Sequence, residues 1–76
     1  MGNRYLGELA KEIDGGIETL KNLSKLLEDF RVEINYVEGI DAKKTDQMVV
    51  ATSTDVEKTI FSLRELSIHI KEEENG

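Results

Sequence analysis

The chain has 76 residues, with 16 acidic residues against 10 basic ones, a net charge of −6 and no cysteine. The missing thiols exclude disulfides and thiolate metal sites. The negative charge disfavours direct binding to nucleic acid or to anionic membranes, because both require a cationic surface. We expect one small domain, 1–76, whose thin core needs reinforcement from another chain.

The first 30 residues have the apolar spacing of an amphipathic helix. Most apolar residues recur in alternating steps of three and four, with Gly16 in one slot: Leu6, Leu9, Ile13, Leu20, Leu23, Leu27 and Phe30. Ile17 and Leu26 widen this stripe to that of a core-facing helix. Glycine inside a helix costs about 1 kcal/mol relative to alanine. Gly15-Gly16 therefore predicts one bent helix or two short ones.

The middle of the chain favours a β-hairpin. Val32, Ile34 and Tyr36 alternate with polar residues, as in a strand, although Ile34 also continues the spacing of the first helix. Residues 38–47 are polar, contain Gly39 and are typical of a loop. Residues 48–53 are β-branched and apolar, which predicts a second strand.

The last third of the chain predicts a helix followed by a strand. Thr54-Asp55-Val56-Glu57 has the pattern of a capping box, so a helix should begin near Asp55. Its buried face would hold Val56, Ile60 and Leu63. Residues 66–71 alternate apolar and polar side chains, which is a strand pattern. Residues 72–76 form a solvated acidic tail.

Two architectures are consistent with these elements. The favoured one is α+β: an N-terminal helix, a β-hairpin, a helix and a C-terminal strand, with both helices on one face of a three-stranded antiparallel sheet. The alternative is an all-α helical hairpin pairing into a four-helix bundle. It aligns Val49, Val56, Leu63 and Ile70 at seven-residue spacing against the first helix. The two differ at Ile68, which is buried in the strand, and at Ser67, which faces inward in the helix.

No arrangement of residues predicts catalysis, cofactor binding or a metal site. His69 is the only histidine, and we interpret it as solvent-facing, with Glu73 four residues on if this segment is helical. The acidic residues around the central loop lack the spacing of a calcium-binding loop. They are Glu33, Glu38, Asp41 and Asp46. The pair Lys43-Lys44 is ordinary solvated charge.

These observations favour a small non-enzymatic regulatory or adaptor protein that acts by protein–protein binding. The predicted partner is another protein, and a second copy of this chain, forming a homodimer, is one candidate. The expected contact elements are the N-terminal helix and the sheet edge. The alternative is an acidic mimic of nucleic acid that inhibits a DNA- or RNA-binding protein. No apolar run approaches a membrane span or a signal sequence. A cytoplasmic location is therefore expected.

Overall fold

The computed structural model describes residues 4–75, which form two long helices in a hairpin. The first helix, α1, covers Arg4–Ile34 and the second, α2, covers Ala42–Asn75. They run antiparallel and contact each other along their length, and no strand occurs within the described range. The predicted α+β fold with a three-stranded sheet is therefore wrong, and the helical hairpin is confirmed.

The segments predicted as a β-hairpin form no strands: α1 continues to Ile34, Asn35 and Tyr36 lie in the turn, and residues 48–53 belong to α2, with apolar residues buried at helical spacing. Ile34, at the end of α1, is 2% exposed, and Val49, near the start of α2, is 7% exposed. Val49 and Val56 lie seven residues apart on the buried side of α2. Burial against the neighbouring helix outweighs the local β-propensity of these segments, which is a weaker and context-dependent preference.

The helix start predicted near Asp55 is wrong, because α2 begins thirteen residues earlier at Ala42. The hydroxyls of Thr52 and Thr54 donate instead to the carbonyl oxygens of Met48 and Val50, at 2.9 and 3.0 Å. A hydroxyl bonded to the carbonyl four residues earlier is satisfied inside a helix. Thr52 and Thr54 are tolerated in the helix for this reason.

Asp41 caps α2, although its sequence position indicated only a loop. Its carboxylate Oδ1 accepts a hydrogen bond of 3.0 Å from the backbone N–H of Lys44, three residues on. This is the N-cap geometry that satisfies one of the free N–H groups of the first turn. The chain reverses direction just before it, where Gly39 has a φ of 80°, a conformation that favours glycine.

Gly15-Gly16 does not divide the first helix. Residues Arg4–Ile34 form one α-helix, so the alternative of two short helices is excluded. A Cβ added at either glycine would meet nothing within 4 Å. Contacts within the chain therefore do not require glycine at these two positions.

The predicted C-terminal strand is also helical. Ser67 is 3% exposed, whereas Ile68 is 52% exposed, which is the reverse of the strand prediction. Helix α2 continues through Glu72, Glu73 and Glu74 to Asn75. Gly76, the end of the expected tail, lies outside the described residues.

The core is a narrow seam between the two helices. Its centre consists of Ile17, Val56 and Ile60, each at most 8% exposed. Half-buried side chains pack around this centre: Ile13, Leu20, Leu27 and Leu63. The hairpin measures 60 × 14 × 12 Å, with a radius of gyration of 17.4 Å, against about 11 Å for a compact domain of this length. One layer of two helices leaves much of each helix uncovered.

Candidate functional site

The side chains that sequence analysis considered for chemistry remain dispersed. The His69 ring is exposed, and its Nε2 lies 3.8 Å from Glu73 Oε1. Asp41 caps α2, and Asp46 binds Arg31. Within residues 4–75 no three side chains of histidine, aspartate or glutamate are grouped to hold a metal ion.

One side of the hairpin carries polar contacts that join the two helices near the loop. Arg31 binds Asp46 with two hydrogen bonds, from Nε at 2.8 Å and from Nη2 at 3.1 Å. These hydrogen bonds lower the pKa of the Asp46 carboxyl and raise the pKa of Arg31. About two turns before Arg31 on α1, the Ser24 hydroxyl donates to Glu57 Oε1 at 3.0 Å.

A third polar contact lies towards the chain termini. The buried Ser67 hydroxyl donates to Asp14 Oδ1 at 2.9 Å, and Lys71 Nζ donates to Asp14 Oδ2 at 3.3 Å. The hydrogen bond from Ser67 and the one from Lys71 hold the pKa of Asp14 below its ordinary value. All three contacts fix the register of one helix against the other, and none presents a free group to a substrate.

The other side of the hairpin has an apolar groove of about 400 Å³ near the loop. No charged side chain is among the residues that line it: Leu26, Leu27, Phe30, Thr45, Met48, Val49 and Thr52. Leu26 is 62% exposed and Met48 is 63% exposed, so neither is protected from water. The groove is thus an apolar surface without a partner inside the described chain.

Beyond the groove, the same side of both helices carries apolar residues interrupted by Glu12 on α1, fourteen residues before Leu26, and by Asp55 on α2, seven residues after Met48. Residues spaced seven apart lie on nearly the same side of a helix, and residues 18 apart complete five turns. On α1, the seven-residue series is Leu9, Gly16, Leu23 and Phe30. On α2, Met48 and Leu66 are 18 residues apart, with Thr52 and Thr59 between them. We call these eight residues together with Leu26 the open face.

The elongated hairpin exposes more area to solvent than a compact domain of the same mass. The hairpin exposes 6,037 Å², whereas a compact monomer of 8.6 kDa is expected to expose about 4,700 Å². The excess is roughly 1,300 Å², which exceeds the area that one partner loses in a typical protein–protein interface.

Other exposed apolar residues do not form a comparable surface. Val50, Phe61 and Ile68 share the outer side of α2, at spacings of 11 and seven residues. Charged residues such as Arg64 lie among them. They are scattered exposed apolar residues of the kind that most proteins have.

One of the two helices of the open face is recognisable from the sequence. The N-terminal helix is a predicted contact element, and α1 supplies five residues of the open face. The apolar stripe predicts Leu23 and Phe30 in the core, whereas in the structure they are 37% and 44% exposed. The width of the stripe, extended by Leu26, was the signal that more apolar surface exists than one partner helix can cover.

Within residues 4–75, neither helix has a stretch long and apolar enough to cross a membrane. No protein-family model, curated protein or solved structure matches this chain. The geometry of the hairpin is therefore the basis for assigning a function.

Proposed function

We propose that this chain is a small non-enzymatic protein that acts by protein–protein binding, and that the open face is its binding surface. The observation that carries the proposal is the uncharged groove between Leu26, Phe30 and Met48. Covering it removes apolar area from water, which stabilises a complex by about 25 cal/mol per Å² before the costs of association.

The shape of the open face favours a helical partner. Two antiparallel helices form a shallow furrow between them, and an amphipathic helix can place its apolar side chains into such a furrow. Leu26, Phe30 and Met48 are the expected anchors because they combine large apolar side chains with high exposure.

The alternative of an acidic nucleic-acid mimic is less well supported by the charges of the hairpin. Such a mimic needs unpaired acidic groups in a row that a basic groove can follow. Asp14, Asp46 and Glu18 instead each lie within 3.3 Å of a lysine or arginine nitrogen. The acidic and basic residues are interleaved, which gives a mixed surface.

Affinity capture with a matched pair of variants tests the proposal. Leu26 and Val32 are 62% and 61% exposed on α1, but only Leu26 belongs to the open face. Each is replaced by Glu, and both variants and the wild type are immobilised and exposed to extract of the native cell at about 0.5 M salt, where exposed charges are strongly screened. A protein should be retained by the wild type and Val32→Glu and lost with Leu26→Glu.

Two results would count against the proposal. If no retained protein depends on Leu26, the open face is not a binding surface. If the retained proteins disappear with salt from the wild type as well, the contact is electrostatic and the mimic becomes the better explanation.

A further inference from the structure

We infer that the occupant of the open face is a second copy of this chain. The two copies are related by a two-fold axis, and α1 of one copy runs antiparallel to α1 of the other. The inference rests on the proposal that the open face binds protein, and it goes further by naming that protein. The resulting assembly is a four-helix bundle made of two hairpins.

The open face of α1 matches its own reverse, as an isologous interface requires. Leu9, Gly16, Leu23 and Phe30 are evenly spaced by seven residues. When the helix is reversed about the midpoint between Thr19 and Leu20, Leu9 lies opposite Phe30 and Gly16 lies opposite Leu23. A large side chain thus meets the position that has none, and apolar residues meet at both outer positions.

The point of reversal is also the middle of the hairpin. The approach of Glu74 to Gly7 marks the terminal end, and the bond between Arg31 and Asp46 marks the loop end. Halfway between these contacts lie Thr19 on α1 and Ile60 on α2. A two-fold axis at this level overlaps the two hairpins along their whole length.

Gly16 gains an explanation from this packing. Glycine disfavours a helix relative to alanine, yet a Cβ added at Gly16 would touch nothing in this chain. Gly16 lies on the open face, half-exposed, at the position opposite the second copy's Leu23. A glycine there lets the two helices approach closely around that leucine.

One charge pair fits the antiparallel orientation. Lys44 lies about 24 Å and Glu73 about 20 Å from the level of Ile60, at 1.5 Å per residue. End-to-end reversal therefore brings Lys44 of one copy near the second copy's Glu73.

The available area suits a dimer of this kind. A stable interface buries about 800 Å² on each partner. The hairpin exposes roughly 1,300 Å² more than a compact monomer of its mass, as derived above. This excess belongs to the whole elongated hairpin, and the open face is the part of it that a second copy would cover.

Cross-linking through single cysteines tests both the occupant and the orientation, and the chain has no cysteine of its own. Thr19 is exposed and lies beside the proposed axis, so Thr19→Cys places two thiols close together. Glu12→Cys is the control, because seven residues from the axis its two thiols are about 21 Å apart. A short bis-maleimide should link Thr19→Cys into a covalent dimer and leave Glu12→Cys monomeric on a denaturing gel. Equal linking of the two variants, or none at Thr19, would contradict the inference.

A pair of glycine variants tests the close approach. Gly15→Gln and Gly16→Gln both replace glycine by a better helix former where the chain leaves open space. Gly16 belongs to the seven-residue series of the open face, whereas Gly15 lies about 100° around the helix from it. The dimer Kd, measured by sedimentation equilibrium, should rise about tenfold or more for Gly16→Gln, and stay within about twofold for Gly15→Gln. Equal dimer Kd values for the two variants would overturn the packing.

The inference and the proposed function can fail separately. The wild-type chain could stay monomeric in light scattering at all accessible concentrations and still retain another protein through Leu26. That result would contradict the inferred second copy and leave the proposed function standing. A dimeric chain that links at Thr19 supports the inference, and any other protein that uses the open face must then compete with the second copy.

Discussion

At the scale of single residues, the contact of Asp14 with Ser67 and Lys71 shows how the helices are held in register. Ser67 is a small polar residue in an otherwise apolar seam, and its hydroxyl is satisfied by the Asp14 carboxylate at 2.9 Å. A shift of one helix by one residue would break this bond and leave a buried hydroxyl without a partner, which costs about 1–3 kcal/mol.

The contact predicts a pH dependence of stability. The pKa of Asp14 is lowered in the folded chain by the hydrogen bonds from Ser67 and Lys71. A lowered pKa stabilises the fold above the ordinary value of about 3.9, and the effect is lost as the pH falls through the folded pKa. Urea unfolding at pH 7 should show Asp14→Asn as less stable than the wild type, and at about pH 2 the difference should vanish. An equal difference at both pH values would show that the charge of Asp14 has no role.

Ser67 and Ile68 provide the residue-level test of the fold itself. Ser67→Asp would bury a carboxylate beside that of Asp14, at a cost of several kcal/mol, and should unfold the chain. Ile68→Asp changes a side chain that is 52% exposed and should cost about 1 kcal/mol or less. Circular dichroism during urea unfolding measures both. The opposite order of stability would restore the strand at residues 66–71.

At the scale of helices, α1 was predictable and α2 was only partly so. The apolar stripe from Leu6 to Phe30 is long, and no strand pattern competes with it. In α2, the local patterns at Thr54 and Leu66 favour a helix cap and a strand. They conflict with the seven-residue series that begins at Val49, which favours one continuous helix. Which pattern prevails depends on burial against α1, a long-range contact that local propensity does not contain.

The site was predictable to a similar extent. The apolar residues of α1 are recognisable from their spacing, and this helix is a predicted contact element. The contribution of Met48 and Leu66 could not be recognised, because it depends on α2 being one continuous helix. Once Met48 and Leu66 are known to lie on one helix, their separation by five turns places them on the same side.

The true start of α2 gives a prediction at this scale. Asp41 accepts the hydrogen bond from the Lys44 N–H, so Asp41→Ala should lower stability by about 1 kcal/mol. Thr54→Ala is the control, since the Thr54 hydroxyl bonds inside the helix to Val50. Alanine is a better helix former there, and the stability should be unchanged or slightly higher. Thermal unfolding that shows a loss at Thr54 and none at Asp41 would put the helix start at the predicted capping box.

At the scale of the whole molecule, the hairpin combines a small core with an uncovered open face. Two helices bury one seam, and six apolar side chains in that seam are nearly inaccessible to solvent: Ala10, Ile17, Ile34, Val49, Val56 and Ile60. Isolated domains with so small a core are marginally stable. If the inferred second copy occupies the open face, it covers that face and enlarges the small core into that of a four-helix bundle.

Thermal unfolding of the wild type as a function of its concentration tests this account most directly, because association stabilises the folded chain by mass action. The transition should move upward by about 5–10 °C over a hundredfold increase in concentration, given the unfolding entropy of two 76-residue chains. The Leu26→Glu variant should unfold at a lower temperature than the wild type, whereas Val32→Glu should follow the wild type. A transition that is independent of concentration, at equal temperatures for all three proteins, would show that the hairpin is stable alone and would contradict the account.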